Sequence, residues 1–231
     1  MALNPNPEKS LIIEVGGKKY ARYPVKTHLI LQNENIFEVV DDYTRDHLKL
    51  GDIVFISEKC VAASQGRTYP QKEVRPGRLA RFLVRFVTKS PYGIGLGSPE
   101  TMQLAVEEAG ALRIIFAAFV AAITKPFGIK GMFYRVAGPQ AKAIDGAVPY
   151  AIPPYNTHVT KAPLRPNETA QEISNTIGAP VAIVDACDLG AWIVGKSRGL
   201  DEKLVLKALK DNPLGQTSQQ TPIGIIREVK E

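Results

Sequence analysis

The chain has 231 residues, 45% of them hydrophobic and 23% charged, which supports a folded core and excludes a wholly disordered or fibrous protein. That length holds one large domain or two joined lobes. Lys and Arg number 29 against 23 Asp and Glu, so the chain favours anionic partners, but its basic residues are dispersed and do not point to nucleic acid.

Residues 1–10 carry two Asn-Pro pairs and little apolar content, and read as a loose tail. Residues 11–15 are a β-branched run, and Gly16-Gly17 predicts a tight hairpin turn into a second strand over 18–23. Residues 24–30 continue extended chain. Apolar residues at helical spacing over 36–43 predict a short helix. After the turn Leu50-Gly51-Asp52, the uninterrupted apolar run 53–57 predicts a buried strand. Residues 68–78 turn polar, with two prolines, and read as a long surface loop, while 79–88 suits helix or strand equally.

Ser98-Pro99-Glu100 is a helix start: a capping hydroxyl, proline in the first turn, then an acid. It predicts a helix over 99–108. The most apolar stretch, 114–123, follows. A bilayer-spanning helix needs about 20 such residues, so this run predicts a core helix of a soluble protein. Proline and glycine are dense over 138–166, which predicts irregular chain with short strands. Then come a helix over 169–177 ended by Gly178, a buried strand over 181–184, a helix over 200–209, a loop over 211–221 and a strand over 223–229. Helices and strands mix without a regular alternation. The fold class is α+β, or an irregular α/β, with mixed sheets and flanking helices.

Several groups of residues suit chemistry. The loop 92–97, spaced Gly-x-Gly-x-Gly, reads as an anion cradle before a helix or as a hinge capped by Ser98; it matches neither dinucleotide nor P-loop spacing. Asp185 and Asp188 follow a hydrophobic strand. They suit a hard cation completed by substrate phosphates, or an ordinary solvated turn. Asp145, beside Gly146, is a turn residue or a third carboxylate for the same cation. Lys59 stands just after a buried strand, where it meets phosphate or solvent. Residues 212–222 form a loop rich in amides and hydroxyls. His28, His47 and His158 lack metal-ligand spacing, and Cys60 and Cys187 form no zinc motif. Cys187 reads as a small buried or half-buried thiol and Trp192 as a core residue. Two distant cysteines fit a reducing, cytoplasmic setting.

The segment from Gly51-Asp52 through Lys59 to Gly66-Arg67 resembles the early signature of the coenzyme F(420)-0:L-glutamate γ-ligases. Ile144-Asp145 looks like their Gly-Ile-Asp segment and Val184-Asp185 like their strand ending in Asp-Thr. Gly215-Gln216 through Pro222 to Arg227 is similar to their Gly-Glu-x-x-x-Gly-x-Pro segment and its strand. In that family GTP and a divalent metal activate a carboxylate as an acyl phosphate, which the amine of an amino acid attacks. The resemblance implies Mg²⁺ or Mn²⁺ held by Asp145 and Asp185, with Asp188 and Gln216 supplying further oxygens. It implies GTP contacts at Lys59, Gly66, Arg67, Gly215, Gln216 and Thr217, and assigns no catalytic residue.

The resemblance also implies a single ligase-like unit over 1–231, with lobes at 1–90 plus 215–231 and at 91–214. Its protomers would interlock as a homodimer acting on a small-molecule acid and an amino acid, with no nucleic acid or membrane as partner. Ala63 stands where the family has a second lysine, Ala186 where it has a threonine and Gln216 where it has a glutamate. These three carry the alternative: a non-catalytic nucleotide- or anion-binding protein of the same fold that has lost metal ligands.

Overall fold

The computed structural model describes residues 3–87, 94–129, 131–187, 190–215 and 217–229. In chain order it runs β1 (Ile12–Val15), β2 (Lys18–Val25), α1 (Ile36–Thr44), β3 (Ile53–Ser57), α2 (Glu58–Ser64), β4 (Thr68–Pro70) and α3 (Arg78–Leu83). There follow α4 (Pro99–Ala109), α5 (Ala111–Thr124), α6 (Met132–Ala137), α7 (Pro139–Lys142), β5 (His158–Thr160) and α8 (Pro166–Ile177). The chain ends with β6 (Val181–Cys187), β7 (Gly190–Lys196), α9 (Glu202–Ala208) and β8 (Ile223–Val229). The architecture is mixed α+β. The chain divides into two compact units, residues 1–66 with 163–231, and residues 67–162.

The first unit is built on a six-stranded sheet in the order β1-β2-β8-β3-β6-β7. Only β3 and β6 run parallel; the other neighbours are antiparallel. Its strands alternate faces with a period of two, so each apolar run serves two cores. Val54, Ile56, Val181, Ile183, Ile223 and Ile225 pack on one face, under α1, α2 and α8. Ile53, Phe55, Ala182, Val184 and Ile226 pack on the other, under α9. Phe55 and Gly224 are register partners, and a Cβ on Gly224 would stand 2.2 Å from the ring's Cζ, so this strand position requires glycine.

The tail at residues 3–10 is not loose. Leu3 packs against the first core, and Asn6 is buried with both amide N–H groups bonded. Arg22, whose side chain is 1% exposed, donates to the Ser10 carbonyl at 2.6 Å, to the Ala208 carbonyl at 2.9 Å and to the Asp211 carboxylate. A sequence poor in apolar residues is fixed here by long-range hydrogen bonds, which local composition does not reveal.

The second unit gathers α3 to α7 and the β4–β5 pair around Leu83, Leu96, Met102, Leu104, Ile114, Ile144 and Val159. Ser98 caps α4 as expected, accepting from the Thr101 N–H at 3.1 Å in a reciprocal capping box. Its hydroxyl is thus engaged, and Leu96 in the preceding loop is buried; Tyr92 and Gly93 lie outside the described residues. The stretch 68–78 holds a short strand and a 3-10 turn rather than a plain loop, and 78–83 settles as helix.

The expected core helix, α5, is buried on one face only. Ile114 and Ala117 are covered, while Leu112, Ile115, Phe116, Phe119 and Ile123 form an exposed stripe on the other side. Hydropathy reported that the helix is apolar all round; it could not report that none of the described residues covers half of it. Trp192 departs in the same way. It lies on the edge strand β7 and is 41% exposed, not a core residue. No helix among the described residues is long and apolar enough to cross a membrane.

Candidate functional site

One end of the first unit's sheet collects the residues that suit chemistry. The β3–β6 ladder ends with Ser57 opposite Val184, while β6 itself runs on to Cys187, paired with β7 rather than stopping at residue 184 as the apolar run suggested. One residue past that last pair stands the half-buried Asp185, inside β6 and not after it as expected, and two past it Lys59, exposed in the first turn of α2. Strand β8 is antiparallel to β3, so the loop before it arrives at this same end, and the Ser57 N–H donates to the Pro222 carbonyl at 2.8 Å. Strand β2 is antiparallel to β8 and delivers Lys26 and Thr27 here. The Thr27 N–H donates to the Gln220 carbonyl at 3.2 Å, and the Gln220 amide donates back to the Thr27 carbonyl at 2.9 Å. Open sheets with parallel strands bind ligands beyond their carboxyl ends, and this edge has that layout.

A cleft of about 480 Å³, a usual small-molecule size, opens in this unit. Its lining comes from the N-terminal segment (Asn4, Asn6), the end of β2 (Val25, Lys26) and the loop before β8 (Ser218, Gln219, Thr221). Tyr43 and His47 complete it. Lys26 is a cation, the hydroxyls and amides are hydrogen-bonding groups, and among the described residues no carboxylate lines the cleft. That chemistry favours an anionic ligand with an apolar portion.

The residues expected from the sequence fall into distinct roles. Gly215, at φ +77°, lets the chain fold back on Gln219, whose side chain a Cβ would strike at 2.6 Å. Gln219 Oε1 accepts from both the Thr217 N–H at 2.7 Å and the Thr217 hydroxyl at 3.1 Å. Gly66, at φ +70°, ends α2, its N–H donating to the Ala63 carbonyl at 2.8 Å. Arg67 belongs to the second unit and is buried there. Its Nε donates to the Ala162 carbonyl at 2.5 Å and its Nη2 to Glu108 at 2.6 Å. Asp145 is also in the second unit, where its backbone bridges Thr160. Gln216 and Asp188 lie outside the described residues. Lys26, Asn6, Tyr43 and His47 were not singled out by sequence; they join the cleft through sheet topology, which no local motif encodes.

Mg²⁺ and Mn²⁺ take hard oxygen donors, and Mg²⁺ is often held by one or two carboxylates plus substrate phosphates. Asp185 offers such a donor at the sheet end, and Ala186 beside it offers none. Among the described residues no three His, Cys, Asp or Glu side chains group to hold a metal ion. Asp185 offers one hard oxygen donor of the kind that such a cation shares with phosphate. Burial pushes the Cys60 thiol up to about 12, against smaller opposing effects of Lys59 and Ser57, so it is no thiolate nucleophile at neutral pH.

The sequence model of the F420-0:Gamma-glutamyl ligase family matches residues 24–187, and the chain belongs to that family. The match takes in Lys59, Asp145 and Asp185 but stops before the loop that begins at Gly215. The chain is also 33% identical over 78 residues to the uncharacterized protein MJ1361 of Methanocaldococcus jannaschii. That alignment covers 32% of this chain and 26% of the relative, so the chain spans about a quarter of that protein's length.

Proposed function

We propose that this chain is a divergent cytoplasmic ligase that joins a carboxylic acid to an amino acid amine at the expense of GTP. The observation that carries the reading is that strand order puts Lys26, Lys59, Asp185 and the loop before β8 at one end of the sheet, where Lys26 and that loop line an anion-suited cleft. The substrate carboxylate oxygen attacks the γ-phosphorus, the bond to the β–γ bridging oxygen breaks, and GDP leaves. The amine then attacks the acyl carbon, phosphate departs and the amine loses a proton. Lys26 and Lys59 offset the charge of the phosphates, and the Ser218, Gln219 and Thr221 side chains orient the ligand. A divalent cation held by Asp185 and the phosphates would supply further neutralisation of the triphosphate.

A second reading, a nucleotide- or anion-binding protein without ligase activity, is favoured by Ala63 and Ala186. Ala63 is buried against the core side of α2, and Ala186 gives no oxygen next to Asp185. A thermal-shift panel decides between them. GTP with Mg²⁺ or Mn²⁺ is expected to raise the midpoint more than GTP alone, since a ligand selective for the native state stabilises it by mass action. An equal rise with and without metal supports the second reading, and no rise with GTP, ATP or GDP overturns both.

The same proposal makes the chain a homodimer that seals the open face of α5. Leu112, Ile115, Phe116, Phe119, Ile123, Phe127 and Ile129 are each between 46% and 86% exposed. At roughly 200 Å² for a large apolar residue, they expose on the order of 800 Å². That exceeds the largest apolar patch of a typical monomer and equals about one partner's share of a standard interface of about 1,600 Å². Arg113 is the sole charged residue in α5, so the stripe suits a copy of itself better than a charged partner. Light scattering is expected to give twice the monomer mass, and Phe116→Glu with Phe119→Glu to give the monomer. A wild-type monomer that instead sediments with lipid vesicles would overturn the dimer in favour of a membrane surface.

A further inference from the structure

The N-terminal segment sits where the cleft's polar wall is attached. Asn6 is 9% exposed, and its Nδ2 donates to the Pro213 carbonyl at 2.8 Å and to the Thr221 hydroxyl oxygen at 2.8 Å. The Pro213 carbonyl can only accept, so the amide nitrogen must face it and the orientation of the side chain is fixed. Thr221 passes its own proton on to the Leu214 carbonyl at 2.7 Å. One amide group thus clamps the two ends of the segment 213–221 together at its neck. After Asn6 the strap is secured twice more: Lys9 Nζ donates to the Asp211 carbonyl at 2.5 Å, and Arg22 holds the Ser10 carbonyl.

What hangs from this neck is the ligand-facing chemistry. Ser218, Gln219 and Thr221 line the cleft together with Asn4, Asn6 and Pro7 from the strap. Inside the loop, the bonds of Gln219 to Thr217 and of Asn212 to the Gly215 carbonyl give a defined local shape. Two glycine- and amide-rich strands of loop can hold such a shape only if their ends are held, because free loop ends bring back conformational entropy. We propose that the N-terminal segment is a working part of the cleft. Asn6 is the positioning residue that fixes the loop before β8 in its ligand-binding shape. The inference rests on the cleft being the nucleotide site, and deepens that reading by naming what preorganises it.

The test uses the full chain as wild type, Asn6→Ala and Asn6→Asp. Asp keeps the shape of Asn but loses both N–H donors and turns an acceptor toward the Pro213 carbonyl, so it separates hydrogen bonding from packing. Hydrogen exchange of the amides in 213–221 is expected to quicken about tenfold or more in both variants, the equivalent of losing roughly one net hydrogen bond or more. Protection of β3 and β8 should stay unchanged. The Kd for GTP should rise by a similar factor. Loop exchange in Asn6→Asp equal to wild type overturns the assignment, and so does a loosened loop with unaltered GTP affinity. A wild type that binds neither GTP nor ATP brings down the ligase reading instead. The exchange comparison alone then upholds or overturns the role of Asn6.

Discussion

Replacing Asp52 by alanine is expected to destabilise the protein by about 3–5 kcal/mol, a large share of the roughly 5–15 kcal/mol that holds a domain folded. Asp52 is 1% exposed. Its Oδ1 accepts from Arg227 Nε at 2.8 Å, and its Oδ2 accepts from Arg227 Nη2 at 2.6 Å and from the Lys49 N–H at 2.8 Å. Arg227 Nη2 also reaches the His47 carbonyl at 2.6 Å, and the guanidinium lies 5.3 Å from the Tyr23 ring centre. Without the carboxylate, a guanidinium whose side chain is only 20% exposed loses its counter-charge, and two bonding partners go with it. A drop in Tm on the order of 10 °C follows for a chain of this size. Adding Arg227→Met should recover much of the loss, because a buried pair replaced by apolar groups is often near neutral. A double-mutant cycle by urea unfolding measures it. A single Asp52→Ala variant within about 0.5 kcal/mol of wild type would show the pair to be idle.

This pair also explains why Gly51-Asp52 stands before β3. Ile53 and Ile226 are register partners, so Asp52 and Arg227 close the β3–β8 pair at the end opposite Ser57 and Pro222. Gly51 takes φ +90° to make the turn. The family-like dipeptide is therefore an anchor in this chain, and Arg67, tied to Glu108 and Ala162, has the same character. Motif resemblance located these residues; only the bonds they make separate anchors from ligand contacts.

Where pattern and local chemistry agree, the elements were legible. Gly16-Gly17 marks the turn between β1 and β2, Ser98 caps α4, Gly178 ends α8, and the run at 223–229 is β8 to the residue. Strand β7 was missed because Gly190 and Gly195 break its apolar pattern and its edge position leaves it half-exposed. The strap at residues 3–10 was missed because its bonds reach more than 200 residues along the chain. The candidate site shows the same division. Lys59, Asp185 and the loop before β8 were visible as residue types next to apolar runs, though Asp185 proves to lie within β6. Their meeting at one sheet end, with Lys26 and Asn6, follows from β8 pairing with both β2 and β3, a topological fact with no local signature.

Asp185→Asn is expected to abolish the metal-dependent part of nucleotide binding while leaving the fold intact. Asp185 and Trp192 are register partners across β6 and β7, so their side chains leave the same face of the sheet. Trp192 is the chain's one tryptophan and is partly exposed, so its fluorescence reports on the neighbourhood of Asp185 without added label. A carboxylate beside a bound triphosphate repels it unless a cation stands between them. Asn keeps the shape and removes the charge. In Mg²⁺ or Mn²⁺ the variant's Kd for GTP should rise at least about tenfold, to the value read in EDTA. Without metal it should bind GTP as tightly as wild type or tighter, since the repulsion has gone. The sign reversal between the two conditions is what a merely structural Asp185 would not produce. A solvated turn residue predicts a stability change within about 0.5 kcal/mol and identical titrations in metal and in EDTA. Identical titrations would remove the cation from this sheet end and leave Lys26 and Lys59 to meet the phosphates alone, as an anion-binding protein requires and a ligase does not.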